Sequence, residues 1–160
     1  TNHPDWRPAA RPVTLHFGAR KCVYDVLSGR YLGETETVKS QLTPGVAQLY
    51  ALLPYRLDNL TVEAPTTATV GTSVRCSIGL VLEGQPAVHC LRLSVFGPDG
   101  KERPWYATNL LTGQGPDAQP GRGEATFDLA LDDTPGAWKL VATDTATGAS
   151  AAASLQVTAR

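Results

Sequence analysis

The amino-acid sequence predicts an all-β protein, and two observations carry this prediction. The chain has 15 glycines and 12 prolines in 160 residues, and they fall between short runs rich in β-branched and aromatic residues, as in proteins built from short strands. Only Val46 to Leu53 weakly fits the spacing of an amphipathic helix. Pro44 and Gly45 precede that stretch and Pro54 follows it, so a strand fits it better.

The bulk composition argues against several functional classes. The formal net charge is −1 and 18% of residues are charged, so the chain lacks the basic surface expected for nucleic acid or an anionic membrane. We expect no membrane span, because no apolar run reaches about 18 residues. The absence of methionine indicates a processed product or a piece of a longer protein. Three cysteines (Cys22, Cys76 and Cys90) form neither a CxxC pair nor an even framework, which leaves their redox state and the compartment open.

The first third of the chain divides into an arm and a small β-meander. Residues 1–12 are rich in proline and predict an extended arm or linker. Residues 13–57 predict a meander of four strands that forms part of a larger, C-terminal β-sandwich. These strands are Val13 to Phe17, Lys21 to Leu27, Tyr31 to Leu42 and Val46 to Leu53.

Residues 58–160 predict a second unit with seven strands. They are Leu60 to Ala64, Ser73 to Leu82, Val88 to Phe96, Trp105 to Leu111, Ala125 to Leu131, Trp138 to Thr143 and Ser154 to Thr158. Seven short strands in about 100 residues are typical of an immunoglobulin-like β-sandwich. The full prediction is therefore a partial antiparallel β-sandwich or meander followed by a seven-stranded immunoglobulin-like sandwich.

The segment "LDDTPGAWKLVATD" predicts a turn followed by a strand that enters the core. Trp138, Leu140 and Ala142 alternate after the turn, so they share one face of the strand. The segment resembles the D-x-x-G-x-[WY]-x-[LV] corner of bacterial immunoglobulin-like and macroglobulin-like domains, with Asp133 and Gly136 at the matching turn positions. The resemblance implies that the tryptophan anchors the corner, and it implies nothing about a ligand.

The segment "CVYDVLSGRYLGETETVKSQLTPGVAQLYALLPY" resembles part of the C-terminal β-sandwich that follows the catalytic barrel in secreted bacterial glycoside hydrolases. The matching residues are Tyr24, Asp25, Gly29, Leu32, Gly33, Pro44 and Gly45. A complete domain of that kind has more than four strands. The resemblance therefore implies that strands lie upstream of Thr1 or that this piece packs onto something else. It also implies an extracellular or cell-surface protein whose partners are upstream domains of the same polypeptide or polysaccharide. Neighbouring subunits are the expected partners under the alternative of a fibre.

Aromatic residues provide the candidate ligand site. Trp105, Tyr106 and Asn109, together with Trp6 in the arm, are candidates for carbohydrate binding, because flat rings stack on sugar C–H faces while polar neighbours bind the hydroxyls. Neighbouring residues on a strand face opposite ways, so we expect at most one ring of the pair to be exposed, and Trp105 is favoured. Packing in the core is the alternative for both rings.

Three aspartates provide a candidate metal site. Asp132, Asp133 and Asp144 offer oxygen ligands of the type that calcium prefers. Their spacing lacks the register of a helix-loop-helix calcium site, and aspartate also stabilises tight turns. We favour the turn role and expect no cofactor, with calcium as the alternative.

No residue pattern indicates catalysis, so we expect no enzyme activity. His89 and Cys90 are neighbours on a predicted strand and would face opposite ways. The expected function is a non-catalytic accessory portion, structural or docking and with weak carbohydrate binding, of a large secreted bacterial glycoside-hydrolase-like protein. The alternative is an extracellular structural subunit of a fibre or adhesin that assembles by β-strand addition.

Overall fold

The computed structural model describes residues 9–114 and 118–160. Within those ranges the chain forms eleven β-strands and no helix, which confirms the all-β prediction. Trp6 and most of the predicted arm lie outside the described residues. In the part of the chain that the structure describes, no helix is long and apolar enough to cross a membrane.

The first three strands form one small antiparallel sheet. They are β1 (Arg11–Asp25), β2 (Arg30–Leu42) and β3 (Tyr50–Leu53), in the order β2-β1-β3. Two predictions were wrong here. The two strands predicted between residues 13 and 27 are one long strand, because pairing with β2 resumes after Gly18. This glycine has φ +75°, and the extra residues are absorbed in a register shift between His16 and Lys21. Only the last four residues of the predicted fourth strand pair with β1.

The remaining eight strands form two sheets. They are β4 (Leu57–Glu63), β5 (Thr67–Thr69), β6 (Ser73–Leu82), β7 (Cys90–Phe96), β8 (Thr108–Leu111), β9 (Arg122–Asp128), β10 (Gly136–Asp144) and β11 (Ser150–Thr158). The smaller sheet has the order β4-β6-β9 and the larger has the order β5-β11-β10-β7-β8. Every pairing is antiparallel except that of β5 with β11.

This strand order defines an immunoglobulin-like sandwich. The chain changes sheet on both sides of β5, between β6 and β7, between β8 and β9, and between β9 and β10, so that the two sheets enclose one core between them. The described sandwich has eight strands instead of the predicted seven. The extra strand is β5, whose three residues are too few to give an alternating pattern.

The core lies between the two sheets and is built by strict alternation. On β6, Val74, Cys76 and Ile78 are buried, as the sequence pattern predicts. On β10, Trp138 and Leu140 are 1% and 0% exposed. The indole N–H of Trp138 donates to the carbonyl of Thr134 at 2.9 Å, so the polar end of the ring is satisfied inside the core.

The small sheet packs against one end of the sandwich. The amide of Leu57, the first residue of β4, donates to the Tyr24 hydroxyl at 2.9 Å. The turns at Gly29 and Gly148 touch backbone to backbone, and a Cβ added at Gly148 would lie 2.5 Å from the Gly29 Cα. The guanidinium of Arg56 lies over the Tyr31 ring, 5.2 Å from its centre. These contacts fix how the two parts meet.

Candidate functional site

An open groove lies at the end of the sandwich that carries the β7–β8 and β9–β10 loops, residues 97–107 and 129–135. Its volume is about 560 Å³, within the range of small-molecule sites. The first loop contributes Asp99, Arg103 and Trp105, and the second contributes Ala130, Asp132, Asp133 and Thr134. The groove therefore brings together candidates that the sequence placed in two separate hypotheses, an aromatic platform and an acidic cluster.

Trp105 lies in a turn and is 68% exposed. The amide of Tyr106 donates to the Arg103 carbonyl at 3.0 Å, and that of Ala107 donates to the Pro104 carbonyl at 3.2 Å. The prediction that a strand begins at Trp105 was wrong, because Pro104 fixes its own φ and favours a turn there. Strand β8 begins only at Thr108.

Tyr106 is less exposed than Trp105 and anchors the groove to the core. Its ring packs against Phe127 and Trp138, with ring centres 5.3 Å and 6.1 Å away. Its hydroxyl donates to Asp133 Oδ2 at 2.6 Å and accepts from the Ala130 amide at 2.9 Å. Burial, followed by the hydrogen bond to Asp133, raises the pKa of the Tyr106 hydroxyl.

Asp133 stabilises the turn between β9 and β10. Its Oδ2 atom also accepts from the Ala130 amide at 2.8 Å, which closes the loop between β9 and β10. Asp99 has a similar role in the other loop, where its carboxylate accepts from the Lys101 amide at 3.1 Å. This bond is the main reason why the pKa of Asp99 is lowered, and Arg103 adds to the effect.

Arg103 forms part of the lining of the groove without adding a free positive charge. Its guanidinium pairs with Asp99 at 2.9 Å and is 16% exposed. It also donates to the Lys101 carbonyl at 3.1 Å and lies over the Trp138 ring, 5.8 Å from its centre. Arg103 and Asp99 were not among the residues that the sequence indicated for a site. Their spacing of four residues, with the turn glycine Gly100 between them, was the available signal.

Two other candidates lie elsewhere. Asn109 is exposed on β8, opposite Arg92 of β7, and it does not line the groove. Asp144 ends β10, whereas Asp132 and Asp133 precede that strand. Nine extended residues span roughly 26 Å, so the three aspartates do not converge. Among residues 9–114 and 118–160, no three His, Cys, Asp or Glu side chains are grouped as a metal site would require.

Asp144 belongs to a buried polar network at the opposite end of the sandwich. Its Oδ1 lies 2.9 Å from His89 Nδ1, and the two side chains are 0% and 2% exposed. Its Oδ2 accepts from the Thr147 amide at 2.9 Å and from the Thr147 hydroxyl at 2.6 Å. The Tyr55 hydroxyl lies 2.9 Å from His89 Nε2. The network thus ties the connection between β3 and β4 to β7 and β10.

The order of groups in this network is hydroxyl, imidazole, carboxylate, the order also used in nucleophilic catalysis. The Tyr55 hydroxyl, however, already accepts from the Ala87 amide at 2.7 Å. With Nδ1–H donating to Asp144, the Tyr55 proton points to Nε2, and every group then has a partner. This arrangement is that of a structural joint. The sequence indicated only that His89 would face away from Cys90, and it gave no signal for Tyr55 or Thr147.

Comparison with known proteins gives little information beyond the fold described above. No protein-family profile and no curated protein matches the chain. Among solved structures, the PKD domain of an M14-like peptidase from Thermoplasmatales archaeon SCGC AB-540-F20 is 14% identical, with a TM-score of 0.36 over 62% of this chain and 92% of that one. The CARDB domain of a Pyrococcus furiosus protein, solved with di-metal ions, is 12% identical, with a TM-score of 0.41 over 65% of this chain and 89% of that one. Similarity at this level carries no argument about ligand or activity, and the assignment to the immunoglobulin-like class rests on the strand order.

Proposed function

We propose that the chain is a non-catalytic accessory portion of a larger secreted bacterial protein that acts on polysaccharide, and that its three-stranded sheet docks onto another part of that protein. The observation that carries the proposal is a group of exposed apolar residues on that sheet and on the connections between its strands. Of the ten large hydrophobic residues that are exposed in the described chain, five lie between residues 27 and 52. They are Leu27, Leu42, Val46, Leu49 and Leu52, and they are 41–66% exposed.

A sheet of this size needs a covering partner. Three strands with one short member bury little apolar area on their own, and exposed apolar residues in one region mark a contact surface. The sequence resemblance to the C-terminal sandwich of glycoside hydrolases favours one occupant, a neighbouring β-region of the same larger protein. The rigid contacts at Gly29 and Gly148 would then hold the sandwich at a fixed angle to that region.

The buried network supports the non-catalytic role. His89 and Asp144 are enclosed and fully engaged in hydrogen bonds, so a substrate has no access to the imidazole. A general base must reach the proton that it abstracts, and this one cannot.

The test of docking uses the isolated chain and the variant Val46→Ser/Leu49→Ser. We expect the isolated chain to bind a dye for exposed apolar surface, such as ANS, and to self-associate as its concentration rises. The double variant should lose most of both signals. Val88→Ser, at an equally exposed position on the sandwich, is the matched control and should change neither. Equal signals in all three proteins would contradict the docking proposal.

The test of the non-catalytic role is turnover. The isolated chain is expected to release no reducing sugar from a panel of polysaccharides. Turnover that disappears in a variant of this chain would overturn the proposal.

The edge of β1 gives no support to fibre assembly by strand addition. On the side facing β3, β1 pairs with a described strand only from Cys22 to Asp25. The rest of that edge contains Pro12, Arg20 and the register shift after His16, and proline, charge and bulges are features that oppose pairing at sheet edges.

A further inference from the structure

We infer that the groove between the β7–β8 and β9–β10 loops binds a glycan by stacking one sugar ring on Trp105, and that it selects against negatively charged sugars. Only the choice of a polysaccharide as ligand rests on the proposed function. The groove lies at the end of the sandwich away from the His89–Asp144 joint and from the three-stranded sheet, so the two proposals concern different surfaces.

The indole of Trp105 is exposed and also held in place. An indole 68% exposed leaves a large apolar face in water, whereas tryptophan is usually well buried. The ring is nevertheless held in place, because the turn bonds on either side fix the backbone and the Tyr106 ring meets it nearly edge-on, with ring centres 6.0 Å apart. A ligand that covers a fixed ring loses less conformational entropy on binding than one that must order it.

Two polar side chains, Asp132 and Thr134, line the groove together with Trp105. Among the described residues, Asp132 has no hydrogen-bond or ion-pair partner, and Thr134 bonds only through its carbonyl, which accepts from the Trp138 indole. A free carboxylate and a free hydroxyl next to an apolar ring face match a sugar, whose hydroxyls donate and accept around the rim of an apolar ring. The carboxylate bonds would be the stronger ones, because the acceptor is charged.

Charge decides which sugars fit. The groove contains three carboxylates and one guanidinium, and that guanidinium already pairs with Asp99. Asp132 and Asp133 are therefore uncompensated by any cation lining the groove. A uronate placed on Trp105 would meet two like charges at short range, whereas a protonated amine would be attracted to them and to the indole face.

The experiment measures binding of four ligands to the whole chain by calorimetry and by tryptophan fluorescence. They are a neutral gluco-oligosaccharide, a chito-oligosaccharide with protonated amines, an oligogalacturonate and an oligolysine. We expect the amine-bearing sugar to bind more tightly than the neutral one, and the oligogalacturonate not to bind. Oligolysine tests charge without a ring and should bind at least about tenfold more weakly than the amine-bearing sugar, a difference of about 1.4 kcal/mol.

Three variants test the named residues. Trp105→Ala should weaken binding of both sugars at least tenfold, and its exposed position means that the fold should survive, which the urea midpoint checks. Asp132→Asn should leave the neutral sugar almost unaffected and reduce the advantage of the amine-bearing sugar severalfold. Val88→Ala, exposed at the opposite end of the sandwich, is the matched control and should bind like the unaltered chain.

Several results would overturn the inference: no binding of either sugar, binding that survives Trp105→Ala, equal binding of the oligogalacturonate, or oligolysine binding as tightly as the sugar. The last result would identify the groove as a site for basic peptides. None of these outcomes bears on the docking surface, and loss of the Val46 and Leu49 effects would leave the groove untouched. The two proposals can therefore fail separately.

Discussion

Replacing Gly148 with alanine should destabilise the protein by about 2–5 kcal/mol. Gly148 has φ +76°, and an added Cβ would lie 2.5 Å from the Gly29 Cα and 3.1 Å from its carbonyl oxygen. The left-handed backbone costs a non-glycine residue about 1–2 kcal/mol. Overpacking against atoms that cannot move aside adds about 1–3 kcal/mol. Both atoms belong to the backbone, so no side-chain rotation relieves the clash.

Gly100→Ala is the matched control, because Gly100 has φ +74° and no atom within 4 Å of an added Cβ. It should cost only the backbone term of about 1–2 kcal/mol. Urea unfolding followed by circular dichroism measures both changes, provided that each variant unfolds in one transition with an unchanged slope. Equal losses in the two variants would refute the view that close packing of the two turns holds the small sheet against the sandwich.

Three further predictions follow from the buried and charged groups. Asp144→Ala should lower the free energy of unfolding in urea by about 3–5 kcal/mol, because it leaves buried donors of His89 and Thr147 without an acceptor. Asp144→Asn should lower it clearly less, since the amide oxygen can still accept from Thr147 and the imidazole can change tautomer. In the native protein Cys76 should react with a thiol reagent far more slowly than the partly exposed Cys90, because burial raises the pKa of the Cys76 thiol to about 11; equal rates before unfolding would contradict this. The pKa of Asp99 lies below its ordinary value of 3.8, so the stabilising effect of this carboxylate is present above pH 3.8 and is lost as the pH falls further. Asp99→Asn should therefore flatten the acid limb of a stability–pH curve, and an unchanged acid limb would contradict this role of Asp99.

The strands whose side chains alternate were the easiest to predict. Strand β6 begins and ends where the sequence places it, from Ser73 to Leu82, because inward residues recur at every second position between two turns. The same pattern placed Trp138 in the core. The long strand β1 was missed because the glycine in its interior resembles a turn, and only pairing with β2 shows that the chain continues. Tertiary pairing decides such cases, and it leaves no local signal.

The sequence indicated individual residues of the candidate site but not that they lie together. The sequence singled out Trp105 and the pair Asp132 and Asp133 on separate grounds, but loops 97–107 and 129–135 become neighbours only through the strand order of the sandwich. For the same reason, Asp144 was grouped with the wrong aspartates. Its true partner, His89, lies 55 positions earlier in the chain, and nothing local relates the two.

The place of β11 has a consequence for synthesis on the ribosome. This strand is the last of the described chain, and it lies between β10 and β5 inside the larger sheet. Until residue 158 has emerged, β10 offers an open edge flanked by apolar side chains, the kind of surface that pairs with other chains. The nascent chain is therefore exposed to aggregation until β11 has been synthesised, and chaperones that bind extended apolar segments should act on it during that interval.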